Sequence, residues 1–454
     1  MIEKIQLPRK PVYKKIPISE EFCSLFRKLE QKYDNCFIFE SLGEESYNSR
    51  YSILGFSPDK IFRARANTLY INDEAHNCEN PYFTLRDIIP SNILSRNYAG
   101  GLVGYLSYEA MNYFEPSLKL PSHALFDDFV FGLYLDGLIY DKMTGDNFYF
   151  HYGHDRSDIL LALQEEKLQD NKTLEIELKG YTMTEEKHRE SVMETIEEIK
   201  SGNTFQCQIG FKTEYSYSGS LFSVYNKLRE VNPSPHMFCF KFQDTGIVGA
   251  SPELLFRLHN GEMETYPLAG SIRRGKTKEE DLQLAKTLLN DPKEIAEHNM
   301  LVDLHRNDIG RVARFGSVKV RRLMDIKKFS HIQHISSEVI GLIKKGEDMF
   351  TSLAYNFPAG TLSGAPKIES MKIIHRIEKN PRGPYGGAIG HFGFNGNCTF
   401  AIPIRTFFVK GEYGYTQASG GIVYDSKPEN EYDEVMRKSA AVKNVLQSLQ
   451  KEGI

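Results

Sequence analysis

CFIFESL (36–42), YSILGF (51–56), KIFRAR (60–65), TLYIND (68–73), GGLVGYLSY (100–108), FVFGLYLDGLIYD (129–141) and FYFHYG (148–153) are short β-branched and aromatic runs split by turn residues. They make the segment from 36 to about 155 a succession of strands. Outward from it, the charged stretch near 164–178 reads as a connector. A helix follows: Thr182 and Glu185 form a capping box, Val192, Ile196 and Ile199 share one stripe, and Gly202 stands where the helix should stop. FQCQIGFKTEYSYS (205–218), FCFKF (238–242) and GIVGAS (246–251) return to strand patterns. The block 278–306 is helical, with Asp291, Pro292 and Glu294 as a start signal inside it. Further helices are expected at 365–378 and 428–450, the last beginning at Pro428. Strands and helices come in mixed runs without regular βαβ alternation. The fold class that follows is α+β, with large antiparallel sheets in a two-part sandwich core flanked by helices.

The chain has 454 residues, room for two domains or one large composite. Hydrophobic content of 41% and charged content of 26% are those of a soluble globular protein. A net charge of −4 argues against a nucleic-acid binder. No run of about 18 apolar residues marks a membrane span. MIEKIQLPRKPVYKKIP is basic but has no apolar stretch after its charges, so it is not read as a secretory signal. The expected location is the cytoplasm, with no membrane partner. Cys23, Cys36, Cys78, Cys207, Cys239 and Cys398 form no CxxC pair, and buried reduced thiols are expected.

Two acidic pairs stand out. Glu294 and Glu297, and Glu431 and Glu434, are each spaced i, i+3 and so share a helix face. Two such helices could hold one hard cation, and oxygen-only ligands favour Mg²⁺ over zinc. Either pair alone is equally a solvated helix face. QASGGIVYDS carries Ser419, Gly420 and Gly421 just before a short strand, and glycine lets backbone N–H groups approach an anion. PAGTLSGAPK (358–367) is similar; tight turns explain both as well. AIPIRTFF reads as a strand carrying Arg405 among apolar residues, where it needs an anionic partner, a structural ion pair included. His334 lies on an apolar strand, a setting that also suits a hydrogen-bonded core histidine. No hydrolase triad, GxGxxG fingerprint or P-loop is present.

PLAGSIRRG, EIAEHNMLVDLHRNDIGRV, HIQHISSEVIG, FPAGTLSGAPKIESMKII, PYGGAIGHF, FAIPIRTFF and QASGGIVYDSKPENEYDEVMRKSA, in this order over about 200–450, resemble the catalytic half of the chorismate-utilising enzymes. That family includes the anthranilate, aminodeoxychorismate, isochorismate and salicylate synthases. FIFESL and RYSILGFSP resemble the front end of its two aminating members. Water-activating members place a lysine where this chain has Gln206. Common aminodeoxychorismate synthases use a nucleophilic lysine where PLAGS has Ala269, and alanine cannot attack chorismate. The resemblance therefore implies the anthranilate-forming carbon–oxygen lyase. A lysine-free aminodeoxychorismate synthase is the alternative. A non-catalytic, amino-acid-binding regulator of a glutaminase is the other, and it would not need all the charged motif residues that this chain keeps.

The resemblance implies a division into 1–180, contributing to a regulatory site, and 181–454, the chorismate-binding part. It implies Mg²⁺ on Glu297 and Glu434, with Glu294 and Glu431 as nearby or water-mediated ligands. Tyr385, Arg405, Lys438 and the backbone of Gly421, beside Ser419 and Gly420, would hold the enolpyruvyl carboxylate. His334 would assist departure of the C4 hydroxyl or the later elimination. Gln206 takes the place of the water-activating lysine, and Gly270, Ser271 and Thr361 would line the site. A tryptophan pocket is implied by FIFES, with Glu40 and Ser41, and by NPSPHM, with Asn232, Pro233, Ser234, Pro235 and Met237. No glutaminase segment is recognisable, so a separate glutamine amidotransferase subunit is implied, in a heterotetramer of two large and two small subunits. Three positions depart from the family pattern: Ser271 replaces threonine, Ser419 replaces glycine, and CTFAIPIRT lacks a preceding aspartate.

Overall fold

Apolar alternation throughout the chain is resolved by antiparallel pairing. In a computed structural model that describes residues 2–42, 50–95, 97–167, 174–328 and 332–452, two sheets of twelve strands each are formed. The first runs Val12–Lys15, Asp146–His151, Asp136–Asp141, Tyr51–Phe56, Asn35–Glu40, His236–Phe242, Thr245–Ser251, Thr406–Lys410, Tyr413–Ile422, Gln206–Ser218 and Glu175–Tyr181, with Gly364–Ala365 beside Gln206–Ser218. The second runs Leu268–Arg273, Ile332–Leu342, Glu262–Thr265, Leu254–His259, Cys398–Ala401, Ala388–Gly393, Gly101–Leu106, Phe129–Tyr134, Lys60–Arg65, Thr68–Ile71 and Glu74–Asn77, with Lys319–Lys328 beside Ile332–Leu342.

Each sheet joins early and late segments of the chain at a central seam, and the first joins them again at its edge, where Glu175–Tyr181 pairs with Gln206–Ser218. In the first, Asn35–Glu40 pairs with His236–Phe242, putting Glu40 opposite Met237. In the second, Gly101–Leu106 pairs with Ala388–Gly393. The main core draws Phe37, Phe62, Tyr105, Phe131 and Tyr134 from one side and Phe238, Phe240, Phe392 and Phe400 from the other. Gly101–Leu106 and Phe129–Tyr134 are buried at every position, so their unbroken apolar runs mark strands covered on both faces. Helices Glu185–Lys200 and Lys367–Glu378 press Val192, Ile196, Ile373, Ile374 and Ile377 onto Cys207, Ile209 and Ile422. That packing fixes the two strands, Gln206–Ser218 and Tyr413–Ile422, that form one wall of the site described below.

Three local expectations change. The helix after 180 is capped by Thr184, which accepts the N–H of Lys187. Thr182 instead exchanges hydrogen bonds with the backbone of Lys212. The stretch 164–178 is not only a connector: Ser157–Glu165 is a helix and Glu175–Tyr181 a strand, while 168–173 lie outside the described residues. The block 278–306 is two helices, Lys278–Leu289 and Pro292–Val312. Asp291 starts the second one, accepting the N–H groups of Lys293 and Glu294. All six cysteines are free thiols, and five are buried. No helix among the described residues is long and apolar enough to cross a membrane.

Candidate active site

Strand register builds the first wall. Gln208 pairs with Gly421, and Gly210 with Ser419. A Cβ on Gly421 would lie 2.5 Å from Gln206 Nε2 and 2.8 Å from Gln208 Nε2, so only glycine lets these amides close on the strand. The Tyr385 hydroxyl lies 2.9 Å from Ser419 Oγ, which donates to Gln208 Oε1 at 3.1 Å. The serine that replaces the family glycine is thus absorbed into a buried hydrogen-bond chain. Lys438 Nζ donates to the Ser419 carbonyl at 3.0 Å and pairs with Glu434, one turn before it, at 2.7 Å.

The second wall is carboxylate. Helices Pro292–Val312 and Pro428–Glu452 bring Glu294, Glu297, Glu431 and Glu434 into one electrostatic group. Burial raises the Glu297 carboxyl above its usual range; Lys438 opposes this and Glu434 adds to it. Burial and then Glu297 raise Glu294. Burial raises Glu431, with Glu434 adding to it. Glu431 Oε2 is buried without a hydrogen-bond partner and lies 3.2 Å from where a Gly420 Cβ would be. Gln206 opposes the rise of the Glu297 carboxyl, and its own Oε1 is buried and unpartnered. Among the described residues no three acidic, histidine or cysteine side chains close around one point as a finished metal cage. The orphaned oxygen and the mutually repelling, oxygen-only set still fit a hard divalent cation.

His334, Glu253, Thr361 and Arg405 form a further group coupled to Lys438. A bulge at Gly270, at φ +62°, interrupts the pairing of Leu268–Arg273 with Ile332–Leu342. Ser271, opposite His334 in that register, is exposed. The Gly270 carbonyl meets His334 Nδ1 at 2.7 Å. A carbonyl only accepts, so Nδ1 carries the proton and Nε2 the lone pair. Burial, with Arg405 and Lys438 adding to it, lowers the imidazole to about 4, against the opposing Gly270 bond. Thr361 Oγ1 donates to Glu253 Oε1 at 2.8 Å. Burial raises Glu253 to about 7, against the pull of that bond and of Arg405 and Lys438. Arg405 is not on a strand. It sits at φ +51° between Cys398–Ala401 and Thr406–Lys410, a conformation unusual outside glycine. The structural ion pair that would explain it is absent: among the described residues no carboxylate pairs with its guanidinium.

The arrangement is a cleft with a cationic, hydroxyl-lined side for one carboxylate and a carboxylate side for a cation. Residues 39–444 match the family described as chorismate binding enzyme. The chain belongs to that family. It is 54% identical to anthranilate synthase component 1 of Leptospira biflexa, over 98% of each chain. It is 42% identical to the protein of that name from Methanothermobacter thermautotrophicus, over 96% of this chain and 94% of the other. The solved structure of anthranilate synthase component I from Streptococcus pneumoniae superposes with a TM-score of 0.78 at 32% identity, covering 88% of this chain and 94% of that one.

The family match begins at the first seam, where FIFES and NPSPHM come together. Glu40 is buried and accepts from Tyr225 at 2.6 Å and from Arg229 at 3.0 Å. Lys142 donates to the Ser41 carbonyl, and Leu42 N–H to the Ser234 carbonyl at 2.9 Å. Asn232 Nδ2 is buried without a partner, and Met237 is fully buried; Pro233 and Pro235 are partly buried in the same segment. Residues 43–49, which follow FIFES, lie outside the described residues. Two site groups escaped sequence reasoning, Glu253 and Gln208. The signal for Glu253 was an acid alone in the apolar run SPELLF, which is costly to bury without a purpose.

Proposed function

We propose that the protein is the large subunit of an anthranilate synthase, converting chorismate and ammonia to anthranilate, pyruvate and water. The observation that carries this reading is Arg405, half-buried without an ion pair and electrostatically coupled to Glu253, together with Lys438, which joins the Ser419 carbonyl to Glu434 of the carboxylate wall. Chorismate has two carboxylates, and this cleft offers a different host for each.

Arg405, Tyr385 and Lys438, with the Gly420–Gly421 backbone, hold the enolpyruvyl carboxylate. Glu297 and Glu434, supported by Glu294 and Glu431, would hold Mg²⁺, which would supply Lewis-acid stabilisation of the charge developing beside the ring carboxylate. Glu253 keeps its proton near neutrality and donates it to the departing C4 hydroxyl. Gln206 Oε1, buried and unpartnered, accepts from the incoming ammonia. The neutral His334, its Nδ1–H held by Gly270, accepts the ring proton at Nε2 as pyruvate is eliminated. Gly270, Ser271 and Thr361 complete the lining. Ala269 removes the covalent lysine route to aminodeoxychorismate.

Ammonia comes from a glutamine amidotransferase subunit, in a heterotetramer of two large and two small subunits. L-Tryptophan occupies the Glu40–Ser41 and Asn232–Met237 seam as a feedback inhibitor; a ligand there touches both 1–180 and 181–454 and biases their arrangement. The free thiols suit the reducing cytoplasm.

The test is a fluorescence assay for anthranilate with purified protein, chorismate, Mg²⁺ and ammonium at alkaline pH, repeated with tryptophan. Mg²⁺-dependent anthranilate that falls with tryptophan is expected. Chorismate consumed without anthranilate would point to aminodeoxychorismate instead, and no consumption to a non-catalytic regulator.

A further inference from the structure

Arg382 is 1% exposed and heads the largest fully buried side chains. It does not face the cleft, yet its donors fasten two segments that do, and its guanidinium flanks a third. Nε and Nη2 grip Glu378 at 2.9 and 2.7 Å. Nη2 also donates to the Gln208 carbonyl at 2.9 Å, and Nη1 to the Leu362 carbonyl at 2.5 Å. The guanidinium lies 4.7 Å from the Tyr108 ring centroid and 5.7 Å from that of Tyr385. Glu378 Oε1 takes the Gly210 N–H at 3.0 Å. From behind, Glu109 accepts the N–H groups of Arg382 and Gly383 at 2.6 and 3.0 Å, and Tyr415 donates to the Arg382 carbonyl at 2.8 Å.

Each of those three segments carries a group of the cleft. Gln208 receives the Ser419 hydroxyl. Leu362 follows Thr361, which holds Glu253. Tyr385 meets Ser419. A buried ion pair is a poor device for stability, because desolvating both charges offsets most of their attraction, and apolar replacements of similar volume are often neutral. A planar fork that joins a helix, a strand and a turn is a good device for holding geometry.

We propose that Arg382, locked by Glu378, is a positioning residue for the carboxylate-holding wall, setting Tyr385, Ser419 and Gln208 against one another. This rests on the reading of that wall as the host of the enolpyruvyl carboxylate. Such a wall acts on bound chorismate and on the transition state alike, so its loss appears in KM more than in kcat.

The experiment is steady-state kinetics of the full chain with ammonium, for wild type, Glu378→Met/Arg382→Met and Arg382→Lys, with thermal melts of each. The double variant removes the pair without stranding a charge. Its KM for chorismate is expected to rise about tenfold or more while kcat falls less than about threefold, with the KM for ammonium unchanged. Arg382→Lys keeps the charge but not the fork, and its chorismate KM is expected to rise at least about fivefold. A folded double variant with wild-type KM overturns the proposal. If the double variant does not fold, Arg382→Lys decides: a raised KM supports positioning, and a wild-type KM or failure to fold reduces the pair to a structural role. A wild-type protein that forms no anthranilate would sink the functional reading itself, an outcome separate from any effect of the variants.

Discussion

A carboxyl buried beside a hydroxyl and held near 7, as Glu253 is, works as an acid only while it keeps its proton. With free ammonia held constant across pH, the rate is expected to fall as pH rises through about 7, and Glu253→Gln should lose that limb together with about 10²–10⁴ in kcat. The same shift has a sign for stability. Its folded-state value lies above the ordinary 4.5, so the folded chain binds the proton more tightly than the unfolded one, and this group's contribution declines as pH rises from about 4.5 to 7. Melting curves of Glu253→Gln should therefore lie above wild type at pH 8 and coincide with it near pH 4. Equal curves at both pH values, with kcat intact, would remove Glu253 from the chemistry. His334 is the complementary case. Its value near 4 leaves it neutral at working pH, so under the proposed reading the acid and base duties would fall on groups whose surroundings push them apart.

Helices and strands carry a fixed period, and that decides how much of the site can be read ahead of the fold. The i, i+3 spacing of Glu294 with Glu297 and of Glu431 with Glu434 was legible because any helix puts such residues on one face. That the two faces meet depends on how Pro292–Val312 and Pro428–Glu452 pack, which no local pattern carries. Arg405 was misread for a related reason: AIPIRTFF is apolar enough for a strand, but its chain turns through φ +51° at the arginine itself. The cap at 184 was missed because Thr182 and Thr184 are both plausible, and sheet pairing with Lys212 claims the first. Thr184→Ala should cost about 1 kcal/mol in chemical denaturation, and Thr182→Ala should leave the helix cap untouched. The facing carboxylates make a second prediction at this scale. Like charges on two helices repel until a cation joins them, so Mg²⁺ should raise the melting temperature, by about 2.7 kcal/mol of linkage at a hundredfold excess over Kd. Glu297→Gln/Glu434→Gln should abolish that shift. A wild-type melt that ignores Mg²⁺ would count against the cation site whatever the activity.

At the scale of the whole molecule, strand content was legible and strand order was not, because alternation names a strand's faces but not its neighbours. Residues 1–180 and 181–454 read as successive parts of the sequence, yet each sheet is closed by strands from both. Without 1–180, His236–Phe242 loses Asn35–Glu40 and Ala388–Gly393 loses Gly101–Leu106, leaving two long strand edges open in the middle of the sheets. Phe238, Phe240, Phe392 and Phe400 lose part of their cover at once. At about 1.5–3 kcal/mol for each side chain exposed, four such losses approach the whole stability of an ordinary domain. Residues 181–454 expressed alone are therefore expected to aggregate or to melt without a cooperative transition. Co-expressed with a tagged 1–180, they should be recovered as a soluble complex that forms anthranilate. Because Glu40 and Met237 face each other across the same seam, tryptophan should also tighten the two fragments, measured as slower exchange of labelled 1–180 out of the complex. A soluble, cooperatively melting 181–454 that stays active but is deaf to tryptophan would place the catalytic core in that part alone and leave the seam a purely regulatory contact.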